Sequence, residues 1–207
     1  MADHPYLLSE LKNHPIILAS QSPRRRELLD ILDIPFQVIV SDVDEIRFRK
    51  PLPPLEYCQE LARIKAEAIA SAHPDALVIG ADTIVVLDDI IIEKPVSFED
   101  AEKMLNQLSG RTHRVYTGVS LQCIQANLLR SFVECTEVTF TELAPNDIRH
   151  YIIHYPPFDK AGSYGIQDWS AVFVERISGC YNNVVGFPVF RFYQELKWCL
   201  AQFNAPK

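Results

Sequence analysis

The stretch Ile16-Ile-Leu-Ala-Ser-Gln-Ser-Pro-Arg-Arg-Arg-Glu-Leu-Leu29 constrains this chain more than any other. Ile16, Ile17 and Leu18 form a short apolar run that reads as a buried strand. Ser22 followed by Pro23 is a helix start. The hydroxyl caps a free backbone donor, and proline takes the first helical position, where no donor is needed. Leu28, Leu29 and Leu32 recur behind it at helical spacing. A strand, a tight loop and a helix in immediate succession point to an α/β fold.

That helix begins against a local rule. Arg24, Arg25 and Arg26 crowd its first turn, where each added cation is unfavourable by about 0.3–1 kcal/mol against the backbone dipole. Two readings fit. The turn is a solvated basic surface, or it seats an anion on backbone N–H groups, the Ser20 and Ser22 hydroxyls and guanidinium forks. The second chemistry suits phosphate.

Composition narrows the classes. With 207 residues, 48% of them hydrophobic, the chain has apolar surface for one large domain or two small ones. Its net charge of −7 makes it a poor general binder of nucleic acid, so the arginine cluster is local. Five cysteines, odd in number and without a C-x-x-C pair, read as reduced thiols of a cytosolic protein. The start, Met1-Ala-Asp-His-Pro5, lacks the layout of a signal peptide. No apolar run reaches the ~18 residues of a membrane helix.

The remaining chemistry lies along the chain in order. Phe36–Val40 reads as a second strand, running into Asp42, Asp44 and Glu45. These carboxylates are either a solvated loop or, beside a phosphate seat, a magnesium site. A helix over about Leu55–Ala72 carries the apolar stripe Leu55, Cys58, Leu61, Ala62, Ala68, Ile69 and Ala72. Lys65 falls on that stripe, so its ammonium either snorkels out or meets an anion. Ala76–Leu87 reads as the central buried strand, interrupted by Asp82 and Thr83. A carboxylate there needs a partner, a metal or a raised pKa, and serves either as a structural group or as a base or metal ligand.

Asp88-Asp89 is a turn, with Ile90–Ile92 pairing back as a strand. Lys94, before Pro95, is either a surface lysine or a phosphate contact. A helix spans Phe98–Leu108, closed by Gly110. Strands over Thr112–Ile124 and Leu129–Thr141 form a hairpin, and Pro145 opens a helix that ends at Pro156-Pro157. The loop from Asp159 to Gln167 holds two of the seven glycines, the mark of special backbone geometry or of an ordinary surface turn. A strand over Ala171–Ile177 follows, then a last helix with Phe190, Tyr193, Leu196 and Leu200 facing inward.

Six motifs now stand in order across about residues 16–200: L-A-S-x-S-P-R-R, G-A-D-T, K-P before a helix, L-S-G-R-T-H-x-V-x-T-G-V, D-K-A-G-x-Y-G-I-Q and N-V-V-G-x-P. Together they closely resemble the Maf family of nucleoside triphosphate pyrophosphatases. The resemblance implies one domain over residues 1–207, with a long mixed sheet flanked by helices and two lobes around a nucleotide cleft, as in inosine triphosphatases. It implies hydrolysis of a nucleoside triphosphate to the monophosphate and pyrophosphate with a divalent metal, magnesium or manganese. It implies a homodimer, beside the cytoplasmic location and the absence of membrane and nucleic-acid partners expected from composition.

In family terms Asp82 resembles the acid that activates water, and with Glu45 it would hold the metal. Arg24, Glu45, Lys65 and Lys94 match positions important for binding or catalysis, and Ser20 and Ser22 would line the triphosphate. The branch acting on dTTP and UTP is similar at Arg24, Thr83 and Gln167, whereas the 7-methyl-GTP branch carries an acid in place of the glutamine. A neutral amide both donates to and accepts from a uracil or thymine edge. Asp168-Trp169 is a departure, since many members have glycine after the glutamine. The alternatives are the same reaction on 7-methyl-GTP or another modified nucleotide, and a regulatory protein of cell division.

Overall fold

The first apolar run does form a buried strand, β1 (Ile16–Ala19), and the helix after it, α1 (Pro23–Asp30), starts where the sequence places it. The Ser22 side chain accepts a hydrogen bond from the Arg25 backbone N–H at 3.4 Å, and Pro23 opens the helix. The computed structural model describes residues 14–43 and 52–203. Its other elements are β2 (Gln37–Val38), α2 (Pro54–Ala70), β3 (Leu77–Leu87), β4 (Ile90–Ile92), α3 (Phe98–Leu108), β5 (Thr112–Cys123), β6 (Leu128–Phe140), α4 (Pro145–His154), β7 (Val174–Ser178), α5 (Tyr181–Val185) and α6 (Val189–Phe203). No helix among the described residues is long and apolar enough to cross a membrane.

Among the described residues the strands make one mixed seven-stranded sheet in the order β2-β1-β3-β5-β6-β7, with β4 pairing against β3. β1 runs parallel to β2 and β3, and every later pairing is antiparallel. The expected α/β class, a mixed sheet flanked by helices, is the class observed. Side chains alternate across the sheet as strand geometry requires. Ile16, Leu18, Leu77, Ile79 and Ala81 join the main core, which also takes in Leu28 and Leu29 of α1, Leu105 of α3, Tyr151 of α4 and Phe192 of α6. Ile17, Ala19 and Val78 face the other way and meet Ala66, Ile69 and Ala70 of α2.

Helix α2 lies unusually close to the sheet. A Cβ on Gly80 of β3 would stand 2.2 Å from the Ala62 carbonyl oxygen, and one on Gly118 of β5 would stand 2.5 Å from that of Cys58. Only glycine fits either position. This backbone contact fixes the height of α2 over β3, and so the height of whatever α2 points at Asp82.

Three expectations need correction. The strand over Ala171–Ile177 begins only at Val174, because Trp169–Phe173 coils as a 3-10 helix capped by the Asp168 carboxylate on the Ser170 N–H. In α6 Phe190 is 74% exposed and Phe192 is the buried ring, packed 4.8 Å from Phe187. Leu55, Ala68 and Ala72 also leave the expected stripe of α2: all three are exposed, and the buried face is carried by Cys58, Leu61, Ala62, Ile64, Lys65, Ala66, Ile69 and Ala70.

Candidate active site

Asp82 and Lys65 face each other across the α2–β3 contact. Lys65 Nζ donates to Asp82 Oδ1 at 2.6 Å, with each side chain only 11% exposed. The anion that the inward lysine meets is therefore this carboxylate. The pair follows from the glycine: Asp82 is two residues beyond Gly80 on the same face of β3, and Ala62 and Ala66, which touch Gly80, flank Lys65 on α2.

Behind the pair lies a second network, centred on Arg25. Its Nε donates to the Gly186 carbonyl at 3.0 Å, and its Nη2 to Thr83 Oγ1 at 3.0 Å. Its Nη1 donates to Ser20 Oγ at 3.3 Å. Thr83 Oγ1 also lies 3.0 Å from Thr117 Oγ1 on β5. Gly186 ends α5 with φ of 125°, a left-handed value that glycine adopts without strain. The N-V-V-G-x-P motif thus supplies a carbonyl that locks α1 onto β3. The rule broken at the start of α1 is compensated through tertiary partners, since Arg24 in turn pairs with Asp159 at 2.9 Å.

A third element closes the site. The segment 159–168 passes through a single 3-10 turn, Ala161–Ser163, in which Gly162 has φ of 69° and packs against Val85. Tyr164 is buried, and its hydroxyl lies 2.8 Å from His113 Nε2 on β5. Both rings meet Phe140 edge to face. Burial holds the His113 pKa down to about 4, below its usual 6.5. The imidazole is neutral in the folded state, so the unfolded chain gains a proton below pH 6.5 that the folded chain refuses until near pH 4. Stability is therefore expected to fall by about 2 kcal/mol between pH 7.5 and pH 5. Urea unfolding at the two pH values measures it, and His113→Gln should flatten the difference.

Between these walls is a cleft of about 760 Å³. Ser20, Ser22 and Arg24 of the arginine turn line it, together with Lys65, Asp82 and Thr83 from α2 and β3, and with Lys94 and Gln167. Eight of the nine residues singled out in the sequence therefore reach one cavity. The ninth, Glu45, lies outside the described residues, as does Asp44. Asp42, Asp159 and Lys160 also line the cleft. Among the described residues no group of three carboxylate, histidine or cysteine side chains is close enough to hold a metal. Asp42 and Asp82 are nonetheless hard oxygen donors on the cleft wall, the donor type that magnesium or manganese takes.

Sequence reasoning gave Arg24 a role and left Arg25 without one. The run of three arginines marks the place, but only the hydrogen bonds to Thr83 and Gly186 show which of them is built into the floor. Tyr151 and Asp159 carried no separate signal, because an inward tyrosine on a helix and an acid in a loop are both ordinary.

Several known proteins are similar to this chain. A dTTP/UTP pyrophosphatase of Bacillus cytotoxicus is 48% identical over 181 residues, covering 87% of this chain and 93% of its own. One of Bacillus cereus is 46% identical over 182 residues, covering 88% and 94%. A solved Ham1 protein of Staphylococcus aureus aligns with 61% of this chain and 71% of its own, at 19% identity and a TM-score of 0.42. The family model described as Maf-like protein matches residues 15–199, so the chain belongs to the Maf family.

Proposed function

We infer that this chain is a nucleoside triphosphate pyrophosphatase that hydrolyses dTTP and UTP to the monophosphate and pyrophosphate. The observation that carries the reading is the buried Asp82–Lys65 pair, opening into a cleft that the arginine turn and Gln167 also line. Relatives nearly half identical over most of their length are named for this activity.

In the proposed mechanism the first turn of α1, with Arg24 and Lys94, holds the phosphates through N–H groups and charge. Asp82 takes the proton from a water attacking the α-phosphorus, and Lys65 holds that carboxylate in place. Lys65 also faces the negative charge that develops on the phosphate oxygens. A magnesium or manganese ion held by Asp82 with Glu45 would neutralise phosphate charge and polarise the attacking water. Gln167 contacts the pyrimidine edge, and Thr83, held by Arg25, lines the same cleft. The cytoplasmic location rests on reading the five cysteines as reduced thiols, and the homodimer on the family resemblance, which sedimentation would test.

The assay is phosphate release from dTTP, UTP, CTP, GTP, ATP and 7-methyl-GTP, with and without added inorganic pyrophosphatase. Signal with dTTP and UTP that needs the helper enzyme and is lost with EDTA is expected. Phosphate released without the helper would mean γ-cleavage and a wrong mechanism. Signal confined to 7-methyl-GTP would keep the reaction and overturn the reading of Gln167.

A further inference from the structure

The turn that presents Gln167 is pinned by a small network of its own: Gly165, Asp168 and Lys160 border the cleft, and Tyr151 and Ser170 back them. The Asp168 N–H donates to the Gly165 carbonyl at 3.0 Å, which makes Gly165–Asp168 a β-turn with Ile166 and Gln167 at its centre. Ile166 is buried and Gln167 exposed toward the cleft. Both backbone groups of Gly165 are held. Its N–H donates to the Tyr151 hydroxyl oxygen at 3.1 Å, and its carbonyl also accepts from Ser170 Oγ at 2.8 Å.

Asp168 holds the other side of this arrangement. Its Oδ2 accepts the Tyr151 hydroxyl at 3.3 Å, and its Oδ1 accepts the Ser170 N–H at 3.0 Å. Lys160 Nζ stands 3.9 Å from Oδ2 and 2.9 Å from Asp159. The carboxylate and the lysine stem lie directly over Gly165, where an added Cβ would fall 3.0 Å from Oδ2 and 2.8 Å from Lys160 Cε. Hydrogen bonds to an ionised acceptor are about twice as strong as neutral ones. The charge of Asp168 is thus directed at the turn and its anchor.

We propose that Asp168 is a positioning residue: through Tyr151 and Ser170 it fixes the Gly165–Asp168 turn, and so sets affinity for the base that Gln167 contacts. This rests on the reading of Gln167 given above. A paired donor and acceptor on a planar amide tolerates little displacement, so a loosened turn weakens base binding while leaving the arginine turn and Asp82 untouched.

The test uses Asp168→Ala, Asp168→Asn and Tyr151→Phe in the full chain. Kinetics on UTP, inhibition by inorganic tripolyphosphate, and amide exchange at Gly165 and Asp168 in the free protein are measured together. For Asp168→Ala the KM for UTP should rise about tenfold, the worth of one charge-assisted hydrogen bond, with kcat kept within about twofold. Tripolyphosphate inhibition should be unchanged, because it reports the phosphate end alone, and the Gly165 amide should exchange faster. Asp168→Asn, which still accepts from Ser170, should fall between.

Unchanged exchange at Gly165 would overturn the pinning. An unchanged KM despite faster exchange would overturn the link to base affinity. KM and tripolyphosphate inhibition weakening together would show general damage to the cleft and overturn the proposal. A wild-type chain inactive on pyrimidine triphosphates would instead remove the base reading of Gln167, and the exchange rates would still decide whether Asp168 holds the turn.

Discussion

Asp82→Asn should lose turnover by about 10²–10⁴-fold, the range that a positioned general base contributes, with the fold retained. Asparagine keeps the size of the side chain, and its oxygen can still accept from Lys65 Nζ, so the α2–β3 contact closes as before. What disappears is the negative charge and the basicity. The KM for UTP should change much less than kcat, since the arginine turn and Lys94 still hold the phosphates. Steady-state kinetics with circular dichroism on the same sample make the check. A variant with near-normal kcat would take Asp82 out of the chemistry.

The second large effect is on stability and activity together. Lys65→Met removes one partner of a buried ion pair, which is expected to cost about 3 kcal/mol, at the low end for such pairs because the cleft admits some water. Turnover should fall about 10²–10³-fold with the loss of a charge that stabilises the transition state. The two losses separate in a double variant. Lys65→Met with Asp82→Leu leaves no unpaired charge, so denaturant stability should return to near the wild-type value while activity stays absent. A Lys65→Met protein as stable as wild type would mean that Asp82 finds its counter-charge elsewhere. Full recovery of activity in the double variant would dismiss both residues.

How much of this was legible in the sequence depends on the distance over which each feature is decided. Strand β3 could be read because eleven successive residues are mostly apolar, and Asp82 stood out against them. The turn at Asp88-Asp89 and the extent of α3 are equally local, set by turn chemistry and by capping serine and glycine residues. The partner of Lys65 was not legible. Its meeting with Asp82 depends on Gly80 admitting α2 to backbone contact, and a glycine in a strand does not announce what approaches it. The arginine that holds Thr83 was hidden for a similar reason, because its acceptor is a carbonyl 161 residues away. The phase of α6 was misread because the aromatic residues on either side of Pro188 allow two registers, and the tilted packing of Phe187 against Phe192 decides between them. The late start of β7 turns on Asp168, whose capping role competes with the extended pattern of the apolar residues after it.

The glycine contact beneath Asp82 has a consequence for how such an enzyme can change. The floor of the cleft is fixed by main chain against main chain, and no substitution at Gly80 or Gly118 can tune it gradually. The turn that presents Gln167 is held by side-chain hydroxyls and a carboxylate, each replaceable singly. One wall therefore admits only all-or-nothing alteration and the other admits graded alteration. A lineage built on this scaffold is free to drift in which nucleotide it accepts while the bond it breaks stays the same.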